Sequence, residues 1–443
     1  MRIALLSPKG PLYRHRGGIF KKSLRYAPLT LTTLSSLAPR ELAPEFQLYD
    51  EGIQDIPLDL DADLIGMTVI TGTSKRAYEL SRHFRKRGIP VVLGGPHVTL
   101  VPEEAQHQAD SIVVGYAEET WPQLLRDFTA GQMQPRYTQR PDLKLENLPF
   151  PERHRLNSKH YLTMDVFEAT RSCGHACEFC VAPAAWGRKQ YQKPVGYVVE
   201  DIRRQEAKKL IFIDLNLISD KHYAAELFTA LIPLKVSWFG LSTTLIAHDL
   251  ELLDLMARSG CRGLLIGFET VSQDNLKSVR KVFNTSVPYD EVVRMLHERG
   301  ISVMGCFVFG MDHDTSEVFE RTAQFVVDTH IDLPRFALST PFPGTPLYRR
   351  LEAEGRILTR DWELYDGQHV VFQPARMTVQ ELQEGHERAW KYAYRYRSIA
   401  RRIAGSRTQI PISIMANLGY RFYAYHLHQF YTCDWFIGQR AAA

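Results

Sequence analysis

The amino-terminal part of the chain alternates short apolar runs with longer amphipathic stretches. Ile3 to Ser7, Phe46 to Tyr49, Leu64 to Ile70, Val91 to Leu93 and Ser111 to Val114 read as strands, and Ser74 to Arg87 as a helix between two of them. Uninterrupted β-branched runs predict a parallel sheet covered on both faces by crossover helices. Small residues follow the runs: Thr71-Gly72-Thr73, Gly94-Gly95-Pro96 and Gly115. Open parallel sheets bind ligands at those carboxyl ends, so residues 1–128 read as a Rossmann-like binding domain.

Residues 129–162, rich in Pro, Arg, Gln and Asn, read as an ordered linker. A second series of strands and helices begins at Met164. Its strands are expected at Met164 to Thr170, Leu210 to Asp214, Val236 to Leu241, Gly263 to Phe268, Ser302 to Phe309 and Arg335 to Ser339. His248 to Ser259 and Tyr289 to Arg299 read as helices between them. Six such units predict a partial (β/α)6 barrel over 163–345, with chemistry at the carboxyl ends of its strands. Beyond the proline-rich Pro341 to Pro346, residues 346–443 read as mainly helical. The fold class is therefore α/β with a helical carboxyl-terminal domain.

Composition narrows the picture only slightly. Fifty-four Lys plus Arg against 50 Asp plus Glu give a net charge of +4 over 443 residues, too mild an excess to argue for nucleic-acid binding. No apolar run approaches the ~18 residues of a membrane span, and the first residues start a strand rather than a signal peptide. A cytoplasmic enzyme is the expectation.

The six cysteines change the picture more. Cys173, Cys177 and Cys180 lie within eight residues, spaced C-x3-C-x2-C in the loop after the first barrel strand; Cys261, Cys306 and Cys433 are scattered and read as packing. Three thiolates can hold three irons of a [4Fe–4S] cluster and leave the fourth open to a ligand. Zinc bound by the three cysteines and His175 is the other metal reading.

This spacing, with Phe179 before the last cysteine, resembles the signature of the radical S-adenosylmethionine (SAM) superfamily. The resemblance extends through the barrel. Asp214 and Asn216 match a second-strand motif that approaches SAM, although Leu215 replaces an acidic residue usual there. Ser242 and Thr243 end the third strand, where the methionine moiety is often contacted. Glu269, in Gly267-Phe268-Glu269, matches a fourth-strand motif that reaches the ribose or amino group. Read without the resemblance, Glu269 caps the next helix and Asp214 and Asn216 are turn residues. The resemblance implies reductive cleavage of SAM to a 5′-deoxyadenosyl radical inside a closed barrel.

The first domain resembles cobalamin-binding Rossmann domains. That resemblance implies Thr71 and Thr73 as hydroxyl donors to the nucleotide tail, with Gly72, Gly94, Gly95 and Gly115 admitting the cofactor and His97 and Glu118 close by. His15-Arg16-Gly17-Gly18 gives only part of the motif that supplies a cobalt-ligating histidine, since Tyr13 stands where Asp should orient it; a basic loop is the other reading of His15. The segments Leu347 to Arg356 and Trp362 to Pro374 resemble those of cobalamin-dependent radical SAM methylases of hopanoid and bacteriochlorophyll pathways.

The resemblances together imply a cobalamin-dependent radical SAM C-methyltransferase acting on a lipid, tetrapyrrole or natural-product substrate. They also imply a reductant such as flavodoxin or ferredoxin. The runner-up keeps both cofactors but performs ring closure, rearrangement or oxidation; a cluster-bearing sensor is a third reading. Basic and aromatic residues interleave from Arg388 to Arg407, read as a peripheral membrane contact, a nucleic-acid contact or a solvated face over aromatic packing.

Overall fold

The computed structural model describes residues 1–10 and 26–427. His15, expected on the basic loop, and Cys433, expected to pack, lie outside the described residues.

The first sheet contains β1 (Arg2–Ser7), β2 (Glu45–Asp50), β3 (Leu64–Thr68), β4 (Val91–Gly94), β5 (Ser111–Val114) and β6 (Arg136–Thr138). They run parallel in the order β2-β1-β3-β4-β5-β6. Both faces are dry because alternate side chains of β1 enter different cores. Ala4 and Leu6 meet Leu80 and Phe84 of the helix Ser74–Lys86. Ile3 and Leu5 meet Leu31 of the helix Leu29–Ser36 and Trp121 and Leu124 of the helix Thr120–Thr129.

Two boundaries differ from expectation. β3 stops at Thr68, three residues before Thr71, so the carboxyl edge of the sheet lies nearer the amino terminus than the apolar run suggests. The stretch 129–162 is more than a linker. It donates β6, whose Tyr137 pairs in register with Val113, and Arg153 forks onto Asp201 of the barrel with two 2.8 Å bonds.

The second sheet is parallel and follows the chain: β7 (Val166–Phe167), β10 (Lys209–Phe212), β11 (Ser237–Ser242), β12 (Cys261–Glu269), β13 (Ser302–Phe309) and β14 (Arg335–Leu338). Between its first two strands, β8 (Thr170–Arg171) and β9 (Tyr191–Gln192) pair antiparallel. The expected strand Met164 to Thr170 is thus broken at Glu168 and Ala169. The backbone N–H groups of Ala169 and Thr170 turn aside onto the Asp214 carboxylate, which also accepts the Thr170 hydroxyl at 2.8 Å.

The helices Val379–Ala393, Tyr396–Ser406 and Ile410–Tyr425 close the far edge of this sheet. Here Trp390, Tyr394 and Arg402 of the interleaved basic and aromatic residues are packing, while the other basic residues are exposed. The Trp390 indole donates to the Phe336 carbonyl, and the Tyr394 hydroxyl to the Pro334 carbonyl. Buried Arg402 donates to the carbonyls of Ile331, Asp332 and Ala393.

Candidate functional site

The cysteine loop leaves β8 through Ser172, whose φ of 67° turns the chain sharply. Its root is fixed by the Ser172 hydroxyl on the Gly187 carbonyl and by the Asp214 clamp. Its far side is fixed by the helix Pro346–Ala353: the Leu347 N–H donates to the Glu178 carbonyl, and Arg350 bonds the Glu178 carboxylate at 2.9 Å.

Cys177 is buried and Cys173 and Cys180 half-buried, and all three are free thiols. Burial pushes the Cys177 thiol up to about 12, and the charges of Cys180 and Cys173 push the same way. Burial also raises Cys180. Such thiols stay neutral until a metal displaces their protons. Buried Lys281 faces Cys177 and Cys180; burial pulls its pKa down, but Glu269 and these thiols hold it above the ordinary lysine value. Soft thiols beside a buried ammonium suit an anionic iron–sulfur cluster. Among the described residues, no three His, Cys, Asp or Glu side chains are arranged for a single ion. His175, the fourth donor of the zinc reading, lies flat on Phe283, ring centroids 4.1 Å apart.

The residues expected to face SAM divide into two groups. Asn216 and Thr243, beyond the ends of neighbouring β10 and β11, are buried, and Asn216 Oδ1 and Thr243 Oγ1 have no protein partner. Buried polar atoms are nearly always paired, so two orphans at one barrel mouth fit the polar groups of a ligand such as SAM. Asp214 is instead occupied by the loop backbone, and Ser242 reaches only the Thr243 carbonyl, at 3.5 Å. Phe179 packs against the barrel core.

Glu269 ends β12 with a left-handed φ of 67° and forms a buried ion pair with Lys281. It does not cap the next helix; Ser272 does. The pair sits on Gly267, where a Cβ would stand 2.3 Å from Glu269 Oε1 and 2.9 Å from Lys281 Nζ. Lys281 escaped the sequence reading because, next to Arg280 and near Lys277, nothing local marks it as the buried one of the three.

A cavity of about 340 Å³ joins the two domains. Its inner part lies between the first sheet and the helix Leu29–Ser36, lined by Gly66, Thr68, Gly94, Gly95 and Gly115. Its outer part is bounded by Tyr116, Glu118, Arg171, Trp186, Ile213 and Leu215, immediately before the cysteine loop. At two of these positions the backbone itself requires glycine. Gly95 has φ 100°, and a Cβ there would meet the Val69 amide nitrogen at 2.8 Å; Gly115 has φ 89°, and a Cβ there would meet Gln139 at 2.7 Å. A cavity lined by glycines on the sheet side and reaching the barrel on the other fits a cofactor that lies between the two domains, as a cobalamin would.

Other residues expected around the nucleotide tail lie elsewhere. His97 is fully buried, within hydrogen-bond reach of the hydroxyls of Thr71 (3.3 Å) and Tyr78 (3.2 Å). The Thr73 hydroxyl accepts from the Ile70 N–H. Thr71, Gly72 and Thr73 line a second cavity of about 290 Å³, with Phe342 and Tyr365. β3 ends at Thr68, so Thr71–Thr73 form a separate turn beyond it, and the two cavities meet at Ile70 and Pro96.

Charge concentrates where the domains meet. Arg171 pairs with Glu118 of the first domain and bonds Glu168 at 2.7 Å, while Lys193 bonds Glu168 at 3.0 Å. Burial alone would raise the Glu168 pKa, but Arg171 and Lys193 hold it down at about 2. Arg171 also stands 4.9 Å over the Tyr116 ring, which stacks on Trp186. The other Glu118 oxygen, Oε2, is buried without a partner.

Family models agree with this division. The B12 binding domain matches residues 45–125, the radical SAM superfamily residues 167–326, and a domain of unknown function residues 345–439. Bacteriochlorophyllide d C-12(1)-methyltransferase of Chlorobaculum tepidum is 30% identical over 390 residues, covering 85% of each chain. Bacteriochlorophyllide d C-8(2)-methyltransferase of the same organism is 31% identical, over 79% of this chain and 81% of that one. The cobalamin-dependent SAM radical enzyme OxsB, solved with aqua-cobalamin and SAM bound, superposes with a TM-score of 0.66 at 14% identity, over 95% of this chain and 72% of its own. This chain belongs to the family of B12-binding radical SAM enzymes.

Proposed function

We propose that the protein is a cobalamin-dependent radical SAM C-methyltransferase acting on an unactivated carbon of a small molecule: a lipid, a tetrapyrrole or a natural-product scaffold. One observation carries the reading. A single cavity runs from the glycine-lined edge of the first sheet to Arg171 and Ser172, at the root of the cysteine loop. A methyl carrier and a radical source would therefore share one chamber. The two relatives of about 30% identity are both named as methyltransferases.

Cys173, Cys177 and Cys180 would hold the cluster, whose open iron and low-potential electron supply the reductive cleavage of SAM. Cobalamin in the inter-domain slot supplies a transferable methyl group. The protein's own part is positioning. Asn216 and Thr243 offer buried acceptors to SAM, and the Glu269–Lys281 pair sets a carboxylate at the mouth. Glu118 offers one free oxygen to the amide donors of a corrin. Leu215 and Ile213 give the chamber an apolar wall, which keeps water from a reactive carbon centre. A one-electron donor of the flavodoxin or ferredoxin class completes the scheme.

The test is mass spectrometry of metabolites from a deletion strain beside its complemented parent, with SAM products measured on the reconstituted enzyme. Loss of a species heavier by one CH2 than an accumulating precursor, with both S-adenosylhomocysteine and 5′-deoxyadenosine formed on that precursor, supports methyl transfer. 5′-Deoxyadenosine without S-adenosylhomocysteine refutes it and favours ring closure, rearrangement or oxidation.

A further inference from the structure

The helix Ile410–Tyr425 is built inside out. Its inward side carries Ser413, Asn417 and Ala424. The Asn417 amide donates to the Asp332 carbonyl at 3.1 Å and accepts from Arg402 at 2.8 Å, so its polar groups are spent on the protein. Its outward side is apolar: Ile410 is 44% exposed, Ile414 43%, Met415 68% and Leu418 49%. At about 100° per residue these four positions fall within an arc of roughly 140°, one continuous stripe along the helix. Among the described residues nothing covers it. A stripe of this kind on a folded protein marks a contact surface rather than scattered exposure.

Charge identifies the contact. From Arg388 to Leu427 the chain has no Asp or Glu; Arg395, Arg397 and Arg407 are exposed on or at the ends of the neighbouring helix Tyr396–Ser406, and exposed Arg401 pairs with Asp328 at 2.9 Å. On the helix itself Arg421 lies over the rings of Tyr396 and Tyr425, at 3.9 and 4.3 Å. Arginine and tyrosine at the border of an apolar stripe suit a boundary between water and hydrocarbon, where the charged or hydroxyl end stays wet. A second copy docking through the same face would set arginine against arginine, which repels. No helix among the described residues is long and apolar enough to cross a membrane, so this one would lie flat.

We propose that the outward face of Ile410–Tyr425 docks on the surface of an anionic membrane, with its apolar stripe in the headgroup boundary and the flanking arginines on lipid phosphates. The inference is independent of the reaction the barrel performs.

The experiment is sedimentation of the full-length protein with vesicles of phosphatidylcholine alone and of phosphatidylcholine with phosphatidylglycerol. Wild type is expected to sediment with the anionic vesicles, less so as salt rises, and poorly with the neutral ones. Met415→Glu with Leu418→Glu is expected to lower the partition at least tenfold with little change in melting temperature, because both side chains are at least about half exposed. Equal partition of variant and wild type overturns the proposal, as does absence of binding to either vesicle. A dimeric wild type that the variant makes monomeric in light scattering assigns the face to a second copy. Binding that emerges only after deletion of residues 428–443 assigns it to that segment. Either result also overturns it.

Discussion

Adjacent glycines at the cofactor slot should fail in opposite ways when given one methyl group. Gly95 has φ 100° and ψ −178°, a region open to glycine alone, at a strain of about 1–3 kcal/mol for any other residue. Its Cβ would also press on backbone, at 2.8 Å from the Val69 nitrogen and 2.9 Å from the Val69 oxygen, which cannot rotate away. Overpacking of that kind costs about another 1–3 kcal/mol. Gly95→Ala should thus lose of the order of 2–6 kcal/mol, a large part of an ordinary domain's stability. At Gly94 the nearest atom to a new Cβ is Val113 Cβ at 3.5 Å, ordinary contact, and the methyl would project into the cavity. Gly94→Ala should leave the cofactor-free protein as stable as wild type and weaken cobalamin by about 5- to 150-fold, the equivalent of 1–3 kcal/mol of crowding. Urea unfolding of the cofactor-free protein reads the first effect, and equilibrium dialysis with cobalamin reads the second. A Gly94→Ala protein that binds cobalamin like wild type would remove the slot from the cofactor site, and an undiminished Gly95→Ala would refute the strain argument.

Three further outcomes are expected. Lys281→Met strands a buried carboxylate at Glu269 and should cost about 3–5 kcal/mol in urea unfolding; Lys281→Arg should recover part of both stability and iron content. Arg350→Ala loosens the cysteine loop from the helix Pro346–Ala353; the pair is partly exposed, so stability should fall by no more than about 1 kcal/mol, while iron loss to a chelator quickens. Burial, with Glu168 nearby, pushes the Asp214 carboxyl up to about 7, so the folded chain holds that proton more tightly than the unfolded one. Its contribution to stability is full below about pH 4 and lost as pH rises toward about 7; Asp214→Asn should flatten that limb of a stability–pH curve, and an unchanged slope would show that Asp214 does not titrate there.

The legible parts of the sequence were those in which neighbours along the chain are also neighbours in space. Ser111–Val114 and Ser302–Phe309 form over the ranges their apolar runs predict, because a buried parallel strand is local in sequence. The cysteine triad is legible for the same reason. What could not be read needed a partner far along the chain. The run Leu64 to Ile70 continues two residues past the strand it forms, and the close approach of Gly95 to Val69, distant in sequence, marks where the strand gives way to the turn. Asp214 looks like a strand-end ligand until the backbone of Ala169 and Thr170 is found on it. Arg171, Glu168 and Lys193 are unremarkable charges in sequence; Arg171 packs against Glu118 and Tyr116 of the first domain, and Glu168 and Lys193 pair inside the barrel half.

The carboxyl-terminal region acquires a role from the same long-range contacts. On one side Leu347 and Arg350 hold Glu178 in the middle of the cysteine loop. On the other the Trp362 indole donates to Glu104, at 3.1 Å, and Glu104 lies 3.4 Å from the His97 imidazole that braces the first domain. Residues 347 to 362 therefore span from the cluster loop to the cobalamin-type domain. A methyl group and a radical carbon must meet at a fixed separation, and geometry of that kind is lost if either domain rocks. At the cavity itself the Arg171–Glu118 ion pair and the Tyr116–Trp186 stack resist separation of the domains. On the other side Trp362, with Glu363 paired to Lys75 at 3.3 Å, adds ties that resist rocking. Trp362 touches neither the cysteine triad nor the glycine-lined slot, so Trp362→Ala should largely spare cluster loading, read as bound iron, and impair the reaction that needs both domains held together.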